Sequence, residues 1–118
     1  MNGPALNPNQ WTLVCPLDDI LPDTGVCALV GEEQVAIFRI SGSEALYAIS
    51  AEDPFSDAPV LARGIIGDVD GELVVASPIY KHHFSLTNGQ CVEDDTVRLK
   101  TYPVRVAQDW VLVARGVG

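Results

Sequence analysis

Nearly every apolar stretch of this chain is short, rich in β-branched residues and bounded by Gly, Pro, Asp or Asn. No window sustains a helical period over three turns. Such punctuation restricts the chain to an all-β class. Strands are expected over residues 11–15, 25–30, 34–40, 46–49, 73–76, 97–100, 102–106 and 110–114. The segment Ser41-Gly42-Ser43-Glu44 reads as a hairpin loop, as does Ala107-Gln108-Asp109, so both pairs of flanking strands are expected to be antiparallel. In the last hairpin Val104 and Val106 alternate with Arg105, and Val111 and Val113 with Leu112, the period of strands that cover a core on one face. Pro16-Leu17-Asp18-Asp19-Ile20-Leu21-Pro22 has room for one helical turn.

With 118 residues, no internal repeat and no low-complexity linker, a single domain over 1–118 is expected, with 1–9 as a loosely ordered tail. Sixteen acidic against seven basic side chains give a net charge of -9, a field that repels nucleic acid and anionic lipid alike. Cys15, Cys27 and Cys91 are an odd, widely spaced set, which suggests neither a disulfide framework nor a metal motif. Reduced, mostly buried thiols are the expectation. Met1-Asn2-Gly3-Pro4 does not read as a targeting segment, and no apolar run approaches the ~20 residues of a membrane span, so a cytoplasmic location with no membrane partner is expected.

Residues 50–91 differ from the two ends. They hold Asp53-Pro54, Ala58-Pro59, Ser77-Pro78, several glycines and both histidines, the composition of site-bearing loops on a β scaffold. Here Ser77-Pro78-Ile79-Tyr80-Lys81-His82-His83-Phe84-Ser85-Leu86-Thr87-Asn88-Gly89 resembles the second half of a Rieske site, C-P-x-H followed after three residues by F-D-x-x-T-G. Asp53-Pro54-Phe55 looks like the C-P-H of the first half, and the gap containing Gly64, Gly67 and Gly71 fits. With the closing Tyr102-Pro103-Val104-Arg105-Val106, the resemblance covers nearly the whole chain. It implies a Rieske-like antiparallel β-sandwich or barrel with two loops at the cluster site.

A Rieske centre needs two thiolates on one iron and two imidazoles on the other. The resemblance puts Asp53 and Ser77 at the cysteine positions and Phe55 and Tyr80 at the histidine positions. Phe55 has no lone pair, and the hydroxyls of Ser77 and Tyr80 suit a soft iron–sulfide unit poorly. No cluster and no other metal is expected in this chain. Phe55 and Tyr80 instead offer volume to plug the space between the loops, and Asp53 and Ser77 can bond backbone amides there.

Loss of all four ligands, together with Asp53-Pro54-Phe55-Ser56, Leu61-Ala62-Arg63-Gly64-Ile65 and Ser77-Pro78-Ile79-Tyr80, is similar to the small subunit of assimilatory NAD(P)H nitrite reductases. That resemblance implies a helper chain without catalytic residues. Its partner would be a large subunit carrying FAD, an iron–sulfur cluster and sirohaem, reducing nitrite to ammonium with electrons from NADH or NADPH. The expected docking surface is the loop tip, with Ser56 and Asp57 from one loop and Lys81, His82 and His83 from the other. The alternative is a ferredoxin-like electron-transfer component of another redox system, such as a dioxygenase.

Blander readings compete at each remaining feature. Adjacent His82 and His83 on an extended segment point to opposite sides, which disfavours one shared metal ion. Asp53, Ser77 and Tyr80 supply too few carboxylates for a hard-cation site. Glu93-Asp94-Asp95 reads as a solvated turn, Cys91 lies near no activating base in sequence, and Trp11 and Trp110 read as core or edge aromatics.

Overall fold

The computed structural model describes residues 10–42 and 45–115. The expected tail 1–9, and Ser43 and Glu44 of the first hairpin loop, lie outside the described residues. Ten strands follow in order: β1 (Trp11–Pro16), β2 (Thr24–Val30), β3 (Glu33–Arg39), β4 (Leu46–Ser50), β5 (Ile65–Val69), β6 (Glu72–Ala76), β7 (His83–Ser85), β8 (Thr101–Tyr102), β9 (Val104–Ala107) and β10 (Trp110–Ala114). They form three antiparallel sheets, β1-β10-β9, β2-β3-β4-β8 and β5-β6-β7. Single 3-10 turns stand at Leu17–Asp19 and Leu61–Arg63. No described helix is long and apolar enough to cross a membrane.

Strand β3 explains why Val35-Ala36-Ile37-Phe38 is an unbroken apolar run. Ala36 and Phe38 enter a core shared with Val75 and Phe84 of the β5-β6-β7 sheet, while Val35 and Ile37 enter a second core with Val111 and Val113 of β10. A strand buried on both faces has no polar side to alternate with. The central sheet is thus the middle layer, with the β5-β6-β7 sheet across one face and β10 across the other.

Several expected strands take a different form. Residues 97–100 make no strand; Arg98 forms one bridge with Gln90, and the backbone there bonds to a turn. Gly89, at φ +81, approaches Leu99 so closely that a Cβ would lie 2.1 Å from its carbonyl oxygen. The expected strand 102–106 is split at Pro103: β8 joins the central sheet and β9 pairs with β10, because proline cannot donate to a continuous ladder. Val106 is exposed on the edge strand β9, whereas Val111 and Val113 of the central strand β10 are fully buried. β5 was not expected, although Asp70-Gly71, both at positive φ, is a tight-turn signature joining it to β6. Of the three thiols, all free, only Cys91 is buried, and Cys27 on β2 is exposed.

Candidate functional site

Two loops make the tip. The first runs from the end of β4 to the 3-10 turn at Leu61–Arg63, and the second joins β6 to β7. Each loop is closed on its first polar residue. Asp53 N–H donates to the Ala58 carbonyl at 2.8 Å, while the Asp53 carbonyl accepts from Asp57 N–H at 2.8 Å and Ser56 N–H at 3.2 Å. Ser77 repeats the pattern, donating its N–H to the His82 carbonyl at 2.9 Å and accepting from Lys81 N–H at 3.1 Å. Asp57 and Lys81 occupy the left-handed region, with φ of 57° and 67°, and turn the chain back.

The two loops are then tied together through side chains. Ser77 Oγ–H donates to Asp53 Oδ2 at 2.5 Å, and both residues are fully buried. Asp53 Oδ1 accepts from Phe55 N–H at 2.9 Å and Ser77 Oγ accepts from Ile79 N–H at 3.3 Å, so both side chains also satisfy the backbone of their own loops. Two buried polar side chains thus satisfy each other away from water, where an unpaired polar group is costly. The positions that resemble the two thiolate sites therefore bond to each other.

At the positions resembling the imidazole sites the outcome is uneven. The Phe55 ring stacks on His82, with centroids 3.7 Å apart and planes 10° from parallel, and lies 6.2 Å from the Phe84 ring. Tyr80 is 61% exposed and fills nothing. The paired plug of Phe55 and Tyr80 is thus corrected to Phe55 with His82. The turn at Pro78–Tyr80 leaves the tyrosine exposed, and the chain after it brings His82 against Phe55. Sequence gave no signal for this, because His82 stands two residues past the expected position.

The other tip residues differ in accessibility. Asp57 and Lys81 are exposed, Ser56 and His82 are partly covered, and Ser56 Oγ and His82 Nδ1 are buried atoms without a hydrogen-bond partner among the described residues. His83 faces away from His82, with Nδ1 at 2.6 Å from Glu93 Oε2 and its backbone N–H donating to Oε1 at 2.8 Å. Burial raises the Glu93 pKa, but these hydrogen bonds outweigh it and hold the carboxyl below its ordinary range. Glu93 is thus a hydrogen-bond partner of His83 as well as part of a turn, while Asp94 accepts from Thr96. Burial raises the Cys91 thiol, the opposite of an activated nucleophile.

This donor set does not fit a Rieske cluster. Asp53 and Ser77 are committed to each other and to backbone amides, Phe55 has no donor atom, and the Tyr80 hydroxyl stands on an exposed ring. Among the described residues no three His, Cys, Asp or Glu side chains are grouped to hold a metal ion.

Residues 10–114 match the Rieske-like [2Fe-2S] domain family. The chain is 52% identical over 108 residues to the nitrite reductase (NADH) small subunit of Escherichia coli K12, spanning 92% of this chain and 99% of that one. The NMR structure of the E. coli protein NirD superposes with a TM-score of 0.85 at 50% identity, covering 92% of this chain and 98% of that chain. A nitrite reductase [NAD(P)H] large subunit of Klebsiella oxytoca is 37% identical over 110 residues, which are 93% of this chain and only 11% of that protein. The chain belongs to the Rieske-like family and, within it, to the small subunits of NADH nitrite reductase.

Proposed function

We propose that this chain is a non-catalytic subunit of a cytoplasmic NAD(P)H-dependent nitrite reductase, holding no cluster of its own. It docks to or stabilises a large subunit that carries FAD, an iron–sulfur cluster and sirohaem. The observation that carries this reading is the Asp53–Ser77 bond. Side chains fasten the two loops where a Rieske protein uses metal, so the tip is kept in shape with nothing there to carry an electron. The Klebsiella large subunit supports the partnership, because a region similar to 93% of this chain is part of that large polypeptide. Tethering in that way raises the effective concentration of two surfaces that otherwise meet by diffusion.

Asp57 and Lys81 present opposite charges at the exposed tip. The charge-swapped variant Asp57→Lys with Lys81→Glu is expected to bind purified large subunit about tenfold more weakly, about 1.4 kcal/mol, with an unfolding midpoint lowered only slightly by the left-handed backbone at both positions. NADH-dependent nitrite reduction by the complex should fall in parallel. Wild-type affinity and turnover in this variant would rule the tip out as the interface.

A further inference from the structure

Three sheets leave six edge strands, and five of them carry a feature that discourages pairing with another chain. β1 ends in Pro16 and its register shifts between Leu13 and Cys15. β5 carries Asp68, β8 has two residues, and β9 follows Pro103 and carries Arg105. β7 is covered by the segment around Cys91, whose neighbour Val92 donates to the His83 carbonyl. β2 is the exception, with the 3-10 turn at Leu61–Arg63 packed against it near Gly25 but no strand paired along its outer edge. Thr24-Gly25-Val26-Cys27-Ala28-Leu29-Val30 contains no charge and no proline, and its pairing with β3 runs unbroken over seven residues. Long uncharged edges are what natural sheets avoid leaving open.

The turn Gly31–Glu32 closes the β2–β3 hairpin on Val30 and Glu33, so alternation turns the backbone N–H and C=O of Gly25, Cys27 and Leu29 toward the free side. The same edge borders an apolar groove lined by Leu13, Cys15, Cys27 and Leu29, with Asp19 as its one charged residue. Leu13 and Leu29 are 58% and 64% exposed.

We infer that this edge pairs with the β2 edge of a second copy of the chain, antiparallel and centred on Cys27, the middle residue of the strand. Each outward backbone group then meets its counterpart: Gly25 with Leu29 of the second copy, and Cys27 with Cys27. The ends match as well. Asp23 precedes β2 and falls opposite Gly31 of the second copy, the glycine over which the exposed Arg115 side chain lies. Symmetry makes that contact twice. This self-complementarity is what a two-fold interface requires, and it can be checked residue by residue in a single sequence. It also explains an edge that carries no protective charge. Opposing it is the net charge of -9 on each copy, a long-range repulsion that salt screens while the short-range pairing persists.

The interface is small for a stable dimer, so association should be weak and visible only at high concentration. Sedimentation velocity of the full chain, from about 10 to about 500 µM, is expected to show a dimer that grows with concentration and strengthens with added salt. Leu29→Glu puts a like charge on both sides of the pair and should abolish the dimer while leaving the unfolding midpoint unchanged. A short bismaleimide should link two chains in the wild type and not in Cys27→Ser. Amide exchange at Cys27 and Leu29 should slow with concentration, a readout that needs no variant. A monomer at every concentration and salt overturns the inference, as does a dimer indifferent to Leu29→Glu. Protection of these amides only on adding the large subunit overturns it too, since the edge would then belong to that partner.

Discussion

The Ser77 hydroxyl donates to Asp53 Oδ2 across 2.5 Å, joining two fully buried side chains 24 residues apart in sequence. No other polar side-chain bond in the described structure crosses between the two tip loops. Removing one partner leaves the other buried with an unmet bond, which costs more than the bond alone is worth. Ser77→Ala is expected to lower stability by about 2 kcal/mol and Asp53→Ala by about 3 kcal/mol. The double variant should cost clearly less than the sum, because the second change removes the orphaned group. Urea denaturation of the four proteins checks this; strict additivity would show that the bond contributes nothing specific.

Phe55 and Tyr80 make an internal control for each other. Phe55→Ala removes the ring stacked on His82 and packed toward Phe84, and should cost about 2 kcal/mol or more. Tyr80→Ala should change stability by about 0.5 kcal/mol or less, as exposed substitutions do. Equal losses in thermal or chemical unfolding would contradict the placement of the two rings.

Chain produced with ample iron and sulfide is expected to be colourless and silent in low-temperature EPR after reduction. The four positions offer a carboxylate engaged elsewhere, a hydrocarbon ring and two weakly acidic hydroxyls, none of them the thiolate or imidazole that such a centre requires. A stoichiometric visible chromophore with bound iron would refute the reading of the tip as metal-free.

Glu33 and Tyr102 set two limbs of the pH dependence. The Tyr102 hydroxyl at 2.5 Å and then Lys100 at 2.9 Å hold the Glu33 carboxyl below its usual range. Its folded pKa lies under the unfolded value, so its contribution is present above that value and is lost as pH falls through the folded pKa. Burial, and then Glu33, push the Tyr102 phenol well above its ordinary pKa. That contribution is complete below about pH 10, the unfolded value for tyrosine, and is lost as pH rises toward the folded pKa. Melting temperature should therefore fall below about pH 4.5 and above about pH 10. In Tyr102→Phe both limbs should be shallower, as measured by circular dichroism from pH 3 to 11.

What the sequence alone determined is whatever depends on residue identity or local pattern. The absence of lone pairs at Phe55, and of thiolates at positions 53 and 77, needs no fold to be read. Strand periodicity and turn residues placed β1, β2, β3, β4, β6 and β10 within a few residues, because alternation and Gly-rich turns are local. The tertiary structure decided what depends on contacts between distant segments. β5 and β7 exist because β6 lies between them; His83–Ser85 is too short to announce itself, though Asp70-Gly71 was a usable turn signal for β5. Residues 97–100 read as a strand from their composition but face a turn near Gln90 with no full ladder to join. Which aromatic fills the space between the tip loops depended on the direction of the Pro78–Tyr80 turn, which put His82 against Phe55. The bond from Ser77 to Asp53 and the unpaired edge of β2 belong to the same class, since both depend on which distant segments come together and which strands find a partner.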